Sequence, residues 1–591
     1  MMNETSRRSF MVKTASAGAV VALGGTLVAC GDTAVPKSEF NYGLASGDPL
    51  ADRVILWTHA KIPASNESVG LTWQVASDIG FAVIVKSGQL KATEASSFTA
   101  KVDVTGLSAG TTYFYRFVDD AGVASITGTT RTLPSSSATS VKLAVFSCSL
   151  YSAGYFNAYD AAAKSDAQYA IHLGDYLYEY GSDAAKFGNT DALTSTSAVS
   201  LGRVISPAND MVSLSDYRTR FALYRSDANL QALHAKMPWI TVWDDHEFAN
   251  DAYMTGAENH KAATQGDWSV RKTTAAKVYH EWMPIRTHAS GDQFKIYRSF
   301  DFGNLLSLHM LDTRIEGRDQ QYSAYGDADG GVVRYLTALG TGTDTSRRMI
   351  STAQQTWLAN SVTASTAAWQ FLGNQDIMAR MWFPGSVLGA YANVASNPTA
   401  VQTAISDYLT AKATRAAAPG ALSSTQASLL NAVKIPYNLD SWDGYPSNRE
   451  SVLQMVKSSG KKLVALSGDS HNAWFANLTT LAGEKVGVEF AASSVTAPGF
   501  ESVGLGALAS SLDGSVLVSQ LGNAAIGAGL GLVDDLNYTD TTQRGYLLMT
   551  VTSASVKGEY VFVSTVKSKT YTASVGKTIT VAAANGVVTY G

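Results

Sequence analysis

Four polar clusters, each closing an apolar run, constrain this chain more than any other feature. They are Cys148 in VKLAVFSCS, Asp175 and Tyr178 in IHLGDYLYE, Asp245, His246 and Asn250 in ITVWDDHEFAND, and Asp469 and His471 in LVALSGDSHNAW. Each short apolar run reads as a buried strand. The polar cluster then falls where the strand ends, and in an open α/β sheet the carboxyl ends of strands are where ligands bind. A thiol, carboxylates, a phenol, imidazoles and an amide delivered to one sheet edge suit a metal centre that performs hydrolysis.

The 591 residues exceed one ordinary domain, so two or more are expected. An apolar share of 46% provides ample core, and a net charge of −4 without a basic patch argues against nucleic-acid binding. Residues 1–30 read as an export signal rather than fold. Ser6-Arg7-Arg8-Ser9-Phe10-Met11-Val12-Lys13 is close to a twin-arginine motif, and an uncharged stretch follows from Thr14 to Ala29. It ends in Leu27-Val28-Ala29-Cys30, similar to a lipoprotein lipobox, which makes Cys30 the expected lipidation site. These features predict export by the twin-arginine machinery to the periplasm or cell surface, with membrane contact only through the lipid anchor. With Cys30 acylated, Cys148 is the one free thiol of an exported chain, and a metal would account for it.

Residues 36–134 predict an all-β domain. VILWTHA, VGLTWQVAS, FAVIVKSG, FTAKVDVTGL and TTYFYRFVD are short β-rich runs between Gly, Ser and Asp turns, similar to a fibronectin or immunoglobulin-like sandwich. From Val141 strands and helices alternate, which predicts an α/β catalytic domain over 141–591. Helices are expected near 214–234, 268–282, 352–365 and 448–459, and an antiparallel hairpin across Asp301-Phe302-Gly303-Asn304 makes the sheets mixed. Small-residue stretches near 386–432 and 501–540 read as insertions. Within the latter, the uncharged run Gly514 to Val533 carries too many Gly and polar residues to read as a membrane span.

Asp175 and Tyr178, three residues apart after a strand, let a carboxylate bridge two cations while a phenolate reaches one of them. Tyrosinate is a hard anionic ligand suited to ferric iron, and the Cys148 thiolate adds charge to the same ion. Asp244 and Asp245 repel each other unless a cation lies between them or one caps a helix. His246 is placed to act as general acid towards a leaving oxygen, and Asn250 offers a neutral oxygen that calcium accepts. Asp469 and His471 alternate along an extended segment, so each can face a different ion. Arg271 opens a predicted helix and offers a guanidinium for phosphate oxygens. His172, His234 and His309 lie in apolar stretches and read as core residues.

The order of blocks resembles the PhoD-like alkaline phosphatases, in the metallophosphoesterase superfamily near the purple acid phosphatases. The blocks run FNYGLASGDP, DRVILWT, FSCS, HLGDYLYEYG, DYRTRFALYRSD, PWITVWDDHEFANDAY, YHEWMPIR, LDTR, WQFLGNQDIMARM, NLDSWDGYPSNRE, SGDSHNAWFANL, SSVTAPG and RGYLLMTV. The resemblance implies two mixed sheets packed face to face and flanked by helices. It implies ferric iron on Cys148, Asp175, Tyr178 and His471. It further implies calcium, two ions expected, on Asp175, Asp245, Asn250 and Asp469. His246 takes the leaving-group position, while Arg271 and Asn250 contact phosphate.

The function this implies is hydrolysis of small phosphate esters for phosphate scavenging outside the cytoplasm, by an alkaline phosphatase with possible phosphodiesterase activity. Two alternatives stand beside it: a phospholipase D-type phosphodiesterase, and a lipid-anchored binding protein without catalysis.

Overall fold

Two sheets bring the clusters together because their central strands run parallel and end at the same level. The computed structural model describes residues 37–182, 195–322, 347–391, 397–436, 438–503, 509–515, 530–584 and 587–590. The export signal, Cys30 and residues 504–508 and 516–529 of the 501–540 stretch lie outside the described residues. In the first sheet, Ser140–Phe146, Tyr169–His172 and Trp239–Thr241 are adjacent and parallel. Phe146 pairs with His172 and His172 with Thr241. In the second, Leu306–Met310, Trp369–Gly373 and Lys462–Ser467 are parallel, with Met310 paired to Gly373 and Gly373 to Leu466. Every one of these strands therefore hands its chain to a loop at one edge.

The first sheet has ten strands and the second seven, both mixed. Alternation along the strands decides which face each residue buries. Val464 and Leu466 enter the core that both sheets share, with Val145, Ile171 and Phe371. Leu463 and Ala465 point the other way, into a second core with Leu358, Val452 and Val456 from helices Thr352–Ala364 and Pro446–Ser459. The architecture is the α/β double-sheet sandwich flanked by helices that the block order implies, with a β-rich N-terminal portion.

That portion is built differently from a free-standing sandwich. Leu44–Gly47, Arg53–His59 and Thr99–Thr105 extend the ten-stranded sheet, through parallel pairing of Gly47 with Trp239. The facing layer is a separate four-stranded sheet of Val69–Ala76, Ile84–Ala92, Thr112–Asp119 and Gly128–Arg131. Leu44, Val54 and Val104 meet Val75, Tyr115 and Phe117 between the layers. The expected hairpin across residues 301–304 is present, pairing Arg298–Phe302 with Leu306–Met310. The 386–432 stretch is mainly helical, over Gly385–Tyr391, Pro398–Ala417 and Ser424–Asn431. Among the described residues, no helix is long and apolar enough to cross a membrane.

His172, His234 and His309 are buried core residues, bonded to Tyr159, Tyr176 and Gln370 respectively. Burial pushes His172 from 6.5 down to about 3, so it is neutral in the fold and gains a proton on unfolding. Its contribution is complete above about pH 6.5 and is lost as pH falls towards about 3. In a His172→Asn variant, the slope of unfolding free energy against pH between these limits should be shallower by up to ~1.4 kcal/mol per pH unit. Denaturant titrations across that window check it. A second expectation concerns Gly174, whose φ is +112° and whose added Cβ would lie 2.4 Å from Asp244 Cβ. Gly174→Ala should cost about 2–4 kcal/mol from backbone strain and overpacking. An unchanged unfolding midpoint would contradict that close approach.

Candidate metal centre

The site begins with backbone that most side chains avoid. Cys148, Asp175, Asp469 and His471 have φ of 61°, 54°, 56° and 63°, the left-handed region that costs a non-glycine residue roughly 1–2 kcal/mol. Hydrogen bonds between loops hold them there. Cys148 N donates to Gly174 O and Ser149 N to Asp175 O, while Gly468 N donates to Gln375 O. Glu247 adds a buried carboxylate that accepts from Asp175 N at 3.1 Å, Tyr176 N at 2.6 Å and Asp244 N at 2.8 Å. Gln375 ties the two sheets, donating to Trp243 O and Leu311 O, both at 2.8 Å.

These loops converge. Ligand atoms of Cys148, Asp175 and His471 lie within 4.8 Å of one another, and so do those of Asp175, Asp245 and His246. Two further groups, Asp244–Asp245–Asp469 and Asp376–Asp440–Asp469, meet the same limit. Tyr178 joins the first group: its hydroxyl donates to Asp175 Oδ2 at 3.1 Å and lies 3.1 Å from His471 Nε2. Thiol, phenol, imidazole and carboxylate thus gather at one end of the cluster, and carboxylates alone at the other.

His471 is prepared as a neutral donor. Its Nδ1 bonds Pro498 O at 2.7 Å, which leaves Nε2 facing Tyr178, and burial pushes its pKa down to about 4. His246 is the opposite case. Burial disfavours its cation, but Asp245, Asp175 and Glu179 outweigh that and hold it protonated well above the usual range. Glu179 Oε2 accepts from its Nδ1 at 2.7 Å, and the Tyr178 ring lies 4.1 Å from its ring centre. The Cys148 thiol is pushed up by burial and then by the Asp175 charge.

Charge balance tests whether cations fit here. Asp175, Asp244, Asp245, Asp376, Asp440 and Asp469 face two guanidiniums, Arg314 and Arg318, and the His246 imidazolium. Fully ionised, six carboxylates against three cations leave three negative charges in a buried space, and burial pushes Asp175 up to about 7. Asp175 Oδ1 and Asp245 Oδ1 are buried without a hydrogen-bond partner. Orphaned carboxylate oxygens of this kind are costly unless a cation meets them. The residues therefore fit metal ions at the end built on Asp175 and Asp245.

Two further residues named from sequence, Asn250 and Arg271, are held by bonds beside the carboxylate cluster. Asn250 is half-buried: its backbone N–H donates to Glu179 Oε1 at 2.8 Å and its Nδ2 to Glu258 Oε2 at 3.3 Å, and neither bond uses Oδ1, the atom expected to meet calcium. Arg271 does open the helix Trp268–Trp282, but it is buried. Its guanidinium donates to Tyr217 Oη at 3.2 Å, Asn259 O at 2.7 Å and Gln265 Oε1 at 3.2 Å. These bonds brace the 259–265 segment and leave Nη2 buried without a partner. The sequence reading passed over Glu179, Glu247, Arg314, Asp376 and Asp440. All lie inside or beside recognised blocks, yet only their three-dimensional partners reveal their roles.

A family model described as PhoD-like phosphatase matches residues 143–560. A second, described as PhoD-like phosphatase, N-terminal domain, matches residues 26–134. Alkaline phosphatase D of Bacillus subtilis (strain 168) is 32% identical over 477 residues, covering 78% of this chain and 70% of that protein. A solved structure described as "Structure of PhoD" superposes with a TM-score of 0.71 at 27% identity, covering 93% of this chain and 92% of its own.

Glu179 orients His246 without belonging to any of the four ligand groups. Glu179→Gln should lower turnover about 10–100-fold, the usual cost of losing an outer partner. Bound metal, measured by elemental analysis, should stay at the wild-type level. Full activity in the variant would remove Glu179 from the site.

Proposed function

Because the chain belongs to the PhoD-like phosphatase family, we propose that it hydrolyses phosphate esters at the cluster built on Asp175, as an alkaline phosphatase able to accept some diesters. The observation that carries this reading is the Tyr178 hydroxyl lying 3.1 Å from both Asp175 Oδ2 and His471 Nε2, beside the Cys148 thiol. That donor set suits ferric iron, and the carboxylate-rich end with Asp245, Asp469 and Asn250 suits calcium. When bound, these ions acidify water and neutralise charge on phosphoryl oxygens.

The chain's own residues then do the following. Asp175, shared between two ligand groups, fixes the spacing of the two ends. His246, protonated and held by Glu179, presents its remaining nitrogen as a proton donor to the departing alcohol oxygen. The Tyr178 ring packed on His246 restricts the imidazole's tilt. Arg271 braces the segment that carries Asn259, and its unpartnered Nη2 is the donor for phosphate oxygens. Export by the twin-arginine route, with Cys30 lipidated, completes the proposal and gives the enzyme access to external phosphate esters.

Two measurements test it. His246→Ala should reduce hydrolysis of p-nitrophenyl phosphate ~10²–10³-fold while bound metal is unchanged; equal turnover would exclude the donor role. Elemental analysis of the purified protein should find iron and calcium, with visible absorption from phenolate and thiolate on ferric iron. A colourless, iron-free and active enzyme would overturn the metal assignment.

A further inference from the structure

The four carboxylate groups overlap, and they are not equivalent. Arg314 enters two of them. Its Nε donates to Asp244 Oδ1 at 2.5 Å and its Nη1 to Asp440 Oδ2 at 2.7 Å. Its Nη2 lies 2.9 Å from Asp376 Oδ1 and 3.1 Å from Asp469 Oδ1. All three nitrogens are thus spent on carboxylates, and the side chain is wholly buried. Arg318 reinforces the same end, bonding Asp440 and lying 3.3 Å from Asp376 Oδ1. Thr313 Oγ1 donates to Asp376 Oδ2 at 2.6 Å.

The orphaned oxygens show where that compensation stops. Among the described residues of the cluster, buried carboxylate oxygens without a hydrogen-bond partner occur on Asp175 and Asp245, and none on Asp244, Asp376 or Asp440. Asp245 Oδ1 is 3.6 Å from Arg314 Nη2, close enough to feel its charge and too far to be satisfied by it. Unmet acceptor capacity is therefore concentrated at the Asp175–Asp245 end.

We propose that Arg314 is a resident cation standing where a metal ion would otherwise sit, so that the Asp376–Asp440–Asp469 group, for all its metal-like spacing, takes no ion. A guanidinium suits this task because it cannot lose its charge and its rigid fork engages several carboxylates in fixed directions. Asp469 is the boundary residue: its Oδ1 lies on Arg314, and it belongs both to the Asp376–Asp440 group and to the Asp244–Asp245 group. Arg314 thereby acts as a positioning residue that sets how many cations the acidic basin accepts. The inference rests on the metal-dependent reading above, and the two can fail separately. Metal-free wild-type protein would defeat that reading, whereas the present one stands or falls on differences between variants and wild type.

The test is the number of calcium ions bound per chain after equilibrium dialysis against calcium chloride, measured alongside unfolding midpoints at graded calcium. Asp440→Asn, which keeps an acceptor for both arginines, should bind as many ions as wild type. Loss of an ion in Asp440→Asn would overturn the proposal. Arg314→Gln should bind one ion more than wild type, and its midpoint should climb more steeply with calcium than that of wild type. Arg314→Lys, which keeps a point charge, should match wild type in ion count. A folded Arg314→Gln with wild-type or reduced ion content would also overturn it. If Arg314→Gln fails to fold, the Asp440→Asn count alone decides.

Discussion

Burying six aspartates in one space is the constraint on which the rest of this structure depends. A lone buried carboxylate is expensive enough that a protein normally protonates or pairs it. Here pairing is uneven. Arg314 and Arg318 absorb the charge at the Asp376–Asp440 end, while the Asp175–Asp245 end keeps unmet oxygens. The folded chain is complete as a scaffold and unfinished as an electrostatic object, which is the condition a metal centre needs. Arg314 also joins the sheets, because Asp244 follows a strand of the ten-stranded sheet and Asp376 and Asp469 follow strands of the seven-stranded one.

Backbone strain and strand register supply the precision. Four of the converging side chains, those of Cys148, Asp175, Asp469 and His471, sit on left-handed residues. Such conformations persist only where surrounding bonds over-determine them. The bonds in question run between loops of different strands, as in Ser149 N to Asp175 O and Gly468 N to Gln375 O. Shared register makes this possible: strands that ended at different levels would place the same loops out of hydrogen-bond reach. Local strain at the ligands is thus balanced by the regular pairing beneath them.

Much of this was legible in the sequence, and the exceptions share a cause. Runs such as VKLAVFS and KLVALSG announce buried strands, and their polar ends fall at the site because strand ends face one edge. The core histidines were legible from their apolar neighbours. The FAVIVKSG run begins three residues before the strand it suggests. The strand is Ile84–Ala92, on the edge of its sheet, with Ile84 and Val85 exposed, so burial does not mark its start. The N-terminal layer was read as self-contained because nothing local signals that Gly47 pairs with Trp239. Arg314 was equally silent: its carboxylate partners Asp244, Asp440 and Asp469 lie 70, 126 and 155 residues away in sequence. Periodicity reports neighbours, and these partners are neighbours only after both sheets exist.

Arg271 shows how a residue type can be read from sequence while the partners that hold it cannot. A guanidinium near a phosphate-ester site invites direct contact with the anion; this one is buried, with Nε and Nη1 bonded and Nη2 without a partner. It donates to Asn259 O, Asn259 Nδ2 donates to Glu179 Oε1, and Glu179 Oε2 accepts from His246. Glu179 Oε1 also takes the backbone N–H of Asn250. One buried carboxylate therefore links the residue expected to bind calcium, the residue expected to protonate the leaving group and the helix that carries Arg271. The positive charge acts at a distance of two side chains, by fixing the segment that fixes Glu179, and the direction of the His246 ring follows from that chain.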